Sequence, residues 1–262
     1  MNTETLDQPI VADVAVSAPA VVIESAAPAV AAVAEGPNPF IALGLDGALV
    51  RAVSDLGYTQ PTEVQAKVIP LAMGSGKADE ASIDLMVSSQ TGSGKTAAFL
   101  LPVLNTLIAQ KAIEAAAEQA EFERQRAQAA ASGEAAPKRA KRKNPMQSRN
   151  FKAAVPGALV LCPTRELAQQ VAQDAIELVK HCKNLRVANV VGGMPYQLQI
   201  AKLQNADLVV ATPGRLLDLQ RSLQIKLDKV QFLVVDEADR MLDLGFADDL
   251  EEVHQMTAQR KQ

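Results

Sequence analysis

From Phe40 onwards the chain alternates between short apolar runs and longer amphipathic stretches. Leu43, Leu45, Leu49 and Val53 open the pattern with helical spacing. The later runs 84–88, 158–162, 186–191, 207–211 and 232–236 are short, rich in Val or Leu, and show no regular polar alternation. Such runs predict strands buried on both faces, as in a parallel sheet covered by helices. Helical stretches separate them, so the order of elements predicts a doubly wound α/β sheet.

Two segments break this rhythm. Residues 74–82 read as a polar surface loop, and 110–152 form a larger insertion. Its first part is rich in Ala, Glu, Gln and Arg and predicts a protruding helix. Its second part carries Lys138, Arg139, Lys141, Arg142, Lys143, Arg149 and Lys152 with no acid between them, which predicts a flexible basic loop. Residues 1–37 are almost entirely Ala, Val, Pro and acids. Side chains that small bury little area against the entropy of ordering them, so this tail is expected to be disordered.

Composition sharpens the picture at three points. Apolar residues make up 48% of the chain but aromatics only 3%, so the core must be built from Ala, Val, Leu and Ile. The net charge is −4, yet Glu4, Asp7, Asp13, Glu24 and Glu35 all lie in the tail, which holds no Lys or Arg; the remainder is therefore +1, and an anionic partner is not excluded. Two cysteines, Cys162 and Cys182, are too few for a disulfide framework or a zinc site and read as free thiols. No unbroken apolar run approaches the ~18 residues of a membrane span, so a cytoplasmic location without membrane partners is the expectation.

The candidate chemistry begins at SSQTGSGKT, residues 88–96, between a predicted strand and a predicted helix. Gly92 and Gly94 let the backbone curve around a phosphate, and the N–H groups of Ser89, Gln90, Thr91 and Ser93 lie on the same turn. Lys95 reaches toward the β- and γ-phosphates, and the Thr96 hydroxyl is a Mg²⁺ ligand. The general pattern places Gly where this chain has Ser89. A similar run at 74–77 is followed by Ala78 rather than Ser or Thr and is assigned to the surface loop. The complementary run FLVVDEAD, residues 232–239, is an apolar strand ending in carboxylates. Asp236 stands at the carboxyl end of the strand, where open α/β sheets bind their ligands, and would hold Mg²⁺ partly through water. Glu237 is then placed to orient or deprotonate the attacking water. The alternative is an acidic cap on the next helix.

At 236–239 the residues spell Asp-Glu-Ala-Asp, and the chain resembles the DEAD-box RNA helicases. The resemblance continues through GYTQPTEVQ at 57–65, similar to the Q motif, with Phe40 at the upstream aromatic position; the domain boundary so implied is 38–66 for this region and 67–262 for the ATP-binding part. Residues 89–96 resemble motif I, 163–167 motif Ia, Gly192 and Gly193 the GG element, and 212–215 motif Ib. The resemblance implies a RecA-like sheet, ATP and Mg²⁺ as cofactors, and RNA held by its sugar-phosphate backbone. It implies that Gln65 reads the adenine edge with Phe40 and Tyr58 against the base, local core packing being the alternative for both aromatics. Thr164, Arg165, Gly193, Thr212, Gly214 and Arg215 would contact RNA, with Thr164 and Thr212 also readable as helix caps. Asp239 would couple this domain to a second RecA-like domain. Family members continue past motif II to a Ser-Ala-Thr motif and that second domain, so the sequence reads as a fragment whose sheet is incomplete at the C-terminus. Two other classes stay open: a different phosphate-loop ATPase, and an RNA-binding module without turnover.

Overall fold

The computed structural model describes residues 21–25, 38–74, 83–132 and 152–262, with the backbone alone for the first of these stretches. The centre is a 4-stranded parallel sheet in the order β4-β5-β3-β6, formed by β3 (Ala158–Leu161), β4 (Val187–Val190), β5 (Leu208–Ala211) and β6 (Phe232–Val235). The predicted strands lie within one residue of these at either end. Side chains of β3 and β5 point alternately into two separate cores. Ala158, Val160, Leu208 and Val210 face one core with α3 (Lys95–Ser132) and α4 (Arg165–Leu178). Leu159, Leu161, Val209 and Ala211 face the other, with α6 (Pro213–Arg221) and α8 (Ala247–Met256). Two apolar cores on opposite faces explain why these strands carry no polar alternation. Truncating Leu159 or Leu161 to Ala would leave a cavity and cost about 2–5 kcal/mol.

Helix ends follow local chemistry. The Asp46 side chain accepts from Ala48 N–H at 2.8 Å and starts α1 (Gly47–Asp55). Thr62 starts α2 (Glu63–Met73) with a reciprocal capping box in which Thr62 Oγ1 accepts from Gln65 N–H at 3.3 Å and Gln65 Oε1 accepts from Thr62 N–H at 3.0 Å. Helix α3 begins at Lys95 and runs unbroken for 38 residues, so the helix expected within 110–152 is a continuation of the one that opens at the phosphate loop. By length and composition it is also the one described helix apolar enough to cross a membrane, but 44% of that window is buried, and its first turns pack beneath the sheet. The loop at 75–82 and the basic stretch 133–151 lie outside the described residues.

Two expectations need correction. The strand β2 (Leu85–Ser89) is half exposed rather than buried on both faces, with Met86 60% exposed. It is not hydrogen-bonded to the central sheet; it pairs in parallel with β1 (Val21–Ser25). For those five residues the disorder expected of the tail gives way to a strand, because Val21, Val22 and Ile23 are β-branched and β2 offers a free edge of unpaired N–H and C=O groups. The rest of 1–37 lies outside the described residues. Leu233 N–H of β6 donates to Gln262 O at 2.9 Å, and Gln262 Nε2 donates to Ile83 O, just ahead of β2, at 2.5 Å.

Candidate functional site

Because every strand of the central sheet runs the same way, the loops after their carboxyl ends share one edge of the molecule. Thr164 and Arg165 follow β3, Gly192 and Gly193 follow β4, residues 212–215 follow β5, and Asp236 follows β6. The loop 89–96 follows β2 and joins this edge from the second sheet.

A cavity of about 520 Å³ lies between the two sheets, within the size range of small-molecule sites. Thr91, Gly92, Gly94, Lys95 and Thr96 line it, together with Asp236 and Glu237. Tyr58, Gln60, Thr62 and Gln65 line it too. The far wall is a single face of α4, where Leu167, Gln170, Asp174 and Glu177 recur at helical spacing.

Several details define what this cavity can do. Lys95 Nζ donates to Ser89 O at 2.5 Å and Gln90 O at 2.9 Å, so its ammonium lies against the carbonyls of its own loop. Ser89 and Ser93 hydroxyls pair at 2.7 Å and brace the same turn. Gln65 is buried, and its Nε2 donates to Gly94 O at 3.2 Å, tying α2 to the phosphate loop. Gly94 is required there: its φ is +88°, and a Cβ would lie 2.5 Å from Gln65 Nε2. Asp236 N–H donates to Leu161 O at 2.9 Å. Burial, and then the neighbouring Glu237 carboxylate, raise the Asp236 carboxyl above its ordinary value, with a backbone hydrogen bond and Lys95 opposing them. Glu237 occupies the cap position of α7 (Ala238–Asp243) in the left-handed region, φ 50°, yet its side chain makes no capping bond. Its carboxylate lies 3.4 Å from Arg240 Nη1. Asp239 is exposed in the first turn of α7.

Phe40 is fully buried with Leu49, Ile69 and Leu104 and presents no surface to the cavity, so core packing accounts for it here. Tyr58 is 41% exposed at the cavity mouth, and burial of its ring, then Asp174 and Glu177, raise its hydroxyl. Among the described residues no group of three or more His, Cys, Asp or Glu could hold a metal. A hard cation at Thr96 and Asp236 would therefore take most of its oxygens from phosphates and water, as Mg²⁺ does. The donors fit that ion and a nucleotide: a curved glycine loop, one lysine, one hydroxyl and one half-buried carboxylate.

Along the same edge, the Arg165 guanidinium lies over the Gly192–Gly193 turn, so close that a Cβ on Gly193, φ +82°, would meet Arg165 Nη1 at 2.7 Å. Thr164 Oγ1 accepts from Leu167 N–H at 3.2 Å and caps α4, while Thr212 makes no such bond with α6. Arg215 Nε lies 3.9 Å from Asp218 Oδ2, and Gly214 is exposed. Missing from the sequence reading were Thr62, visible as a T-x-x-Q capping box, and the α4 face, visible as helical periodicity.

A glycine loop and an acidic strand end meeting at the carboxyl edge of a parallel sheet define a phosphate-loop α/β protein. The sequence profile of the DEAD/DEAH box helicases matches residues 62–262, and the chain belongs to that family. It is 40% identical over 224 residues to DEAD-box ATP-dependent RNA helicase 52A of Oryza sativa subsp. japonica, covering 85% of this chain and 32% of that one. It is 38% identical to ATP-dependent RNA helicase SrmB of Escherichia coli K12, over 85% of this chain and 40% of that one. A crystal structure of a hypothetical ATP-dependent RNA helicase from Sulfolobus tokodaii superposes with a TM-score of 0.60 at 33% identity, covering 83% of this chain and 49% of that one. The chain thus spans well under half the length of both helicase sequences.

Proposed function

We propose that this chain is the ATP-binding half of an ATP-dependent RNA helicase, in which ATP hydrolysis is coupled to local opening of RNA duplexes with a second RecA-like domain. The observation that carries it is the single cavity bounded by Lys95, Thr96, Asp236, Glu237 and Gln65. Lys95 would leave its loop carbonyls for the phosphates, and the N–H groups of 89–94 would cradle them. Thr96 and Asp236 would hold Mg²⁺, which supplies positive charge against the charge spread over the transferring phosphoryl group. Glu237 would orient the attacking water and accept its proton. The Gln65 carboxamide retains one N–H and one lone pair beyond its protein bonds, enough for the adenine edge. Tyr58 at the mouth would pack on the base.

Thr164, Arg165, Gly193, Thr212, Gly214 and Arg215 would bind RNA through hydroxyl, guanidinium and backbone groups, which select phosphate and sugar rather than sequence. The basic stretch 138–152 would add sequence-independent attraction by counterion release. The proposal includes a cytoplasmic location, where Cys162 and Cys182 remain thiols; burial pushes the Cys182 thiol up to about 11, which keeps it unreactive.

Measuring ATP turnover of the whole protein with and without single-stranded RNA tests the reading. RNA should raise turnover, and Glu237→Gln should lower it by about 10²–10⁴-fold while ATP still binds. Turnover indifferent to RNA would favour a different phosphate-loop ATPase, and RNA binding without turnover would favour a module that only holds RNA.

A further inference from the structure

Between the strand-end loops after β4 and β5 sits the first turn of α5 (Tyr196–Leu203), and two of its side chains reach one loop each. Gln199 is fully buried, and its Nε2 donates to Val191 O at 2.6 Å and Met194 O at 3.3 Å. Those two carbonyls flank Gly192 and Gly193, so one carboxamide closes the turn on which Arg165 rests. Its Oε1 has no hydrogen-bond partner among the described residues. A buried carboxamide left half satisfied costs free energy, and a hydrophobic side chain of this size would pack at that position without the cost. Nor does it cap the helix, whose N-cap is Pro195 with no side-chain capping bond.

Three residues earlier, and so on the same side of the helix, Tyr196 faces the other loop. Arg215 Cζ lies 6.0 Å from the centre of the Tyr196 ring, within reach of a cation–π contact. The Tyr196 hydroxyl is hydrogen-bonded to Ser222 Oγ, and Ser222 Oγ donates to Asp218 O at 2.6 Å. Asp218 in turn has its carboxylate beside Arg215 at 3.9 Å. Arg215 is therefore aimed from two sides by groups that are themselves anchored to α6.

We infer that the first turn of α5 is a positioning bracket: Gln199 holds the Gly192–Gly193 turn and Tyr196 holds Arg215, setting both at the separation needed to grip one RNA backbone. Neither is a catalytic residue; each acts through a group already assigned to RNA. The inference rests on the RNA reading of Arg165 and Arg215. It explains why a polar side chain is buried beneath a glycine turn and why an aromatic ring stands beside a phosphate-binding arginine. A preset spacing reduces the ordering cost on binding, which is how pre-organisation raises affinity.

The test uses the full chain and a fluorescein-labelled single-stranded oligouridylate, with anisotropy read across salt concentrations, and ATP affinity and thermal unfolding measured beside it. Tyr196→Leu should weaken RNA binding about two- to fivefold, the size of an exposed cation–π contact, while Tyr196→Phe should stay closer to the parent. Gln199→Leu keeps the volume but cannot donate, and should weaken RNA binding about tenfold, the size of two neutral hydrogen bonds, with ATP affinity unchanged. In an Arg215→Ala background, Tyr196→Leu should have no further effect, and the slope of log affinity against log salt should already be shallower by about 0.7 for the one lost contact. A Tyr196→Leu effect that is the same with and without Arg215 overturns the bracket, as does Gln199→Leu binding RNA like the parent. If Arg165→Ala and Arg215→Ala themselves leave RNA binding unchanged, the RNA reading fails first and the bracket with it.

Discussion

The side of the edge proposed to bind nucleotide and the side proposed to bind RNA are built in opposite ways. The nucleotide cavity is assembled from two sheets that share no strand hydrogen bond, β1-β2 carrying the phosphate loop and the central sheet carrying Asp236. Its one lysine is spent on carbonyls of its own loop. The RNA side belongs wholly to the central sheet, and its groups already brace one another: Arg165 on the glycine turn, Gln199 beneath it, Arg215 over Tyr196. On the proposed function, the contrast means that the face assigned to RNA is braced in advance, whereas Lys95 on the face assigned to the nucleotide must leave its loop carbonyls to bind.

The largest expected effect breaks the nucleotide side alone. Lys95→Ala should weaken ATP and GTP alike by about 10–150-fold, the ~1.5–3 kcal/mol of a hydrogen bond to a charged group, and leave RNA affinity without nucleotide unchanged. Isothermal titration with each nucleotide and with RNA separates the two sides; a parallel loss of RNA binding would mean that they are not independent. Gln65→Ala reaches both the base and the helix start. It should lower the preference for ATP over GTP, and by opening the capping box it should also cost about 1 kcal/mol of stability, or about 2–4 °C in a domain of this size. Loss of stability with discrimination intact would leave Gln65 as a cap and a tether to Gly94 only.

The smallest effect concerns stability with pH. Burial and Glu237 raise the Asp236 carboxyl, so the folded chain holds that proton to a higher pH than the unfolded chain does. Ionisation in the fold is thus unfavourable: stability falls as pH rises through the folded value, and the full cost is present at neutral pH. Asp236→Asn should therefore be more stable than the parent near pH 7, with the difference shrinking toward acid pH, while Mg²⁺-dependent ATP binding is lost. Thermal unfolding at several pH values checks this; a variant less stable than the parent at neutral pH would show that Asp236 is not an energetic burden on the fold.

Much of this was legible because the sheet is buried on both sides. A continuous run such as ALVL suits a strand between two apolar cores, and all four of its residues are buried. The meeting of the loops at 164–165, 192–193, 212–215 and 236 was legible for the same reason, since strands parallel in one sheet bring their following loops to one edge. What escaped depends on contacts between distant segments. Val21–Ser25 reads as part of an unstructured tail until β2 is seen to lack a partner. Phe40 reads as a base-stacking ring until the helices around it close. The Asp174 and Glu177 wall was present as a helical period but gave no sign that it faced a cavity rather than solvent.

Hydrogen exchange of backbone amides tests the asymmetry most directly. With ATP and Mg²⁺ added to the full chain, exchange should slow markedly across 89–96 and at 236–239, because the phosphate loop must give up its bond to Lys95 and order around the ligand. With single-stranded RNA and no nucleotide, 89–96 should not respond, and any slowing should be confined to the loops after β3, β4 and β5. A phosphate loop that is indifferent to ATP, or that slows on addition of RNA alone, would contradict the account.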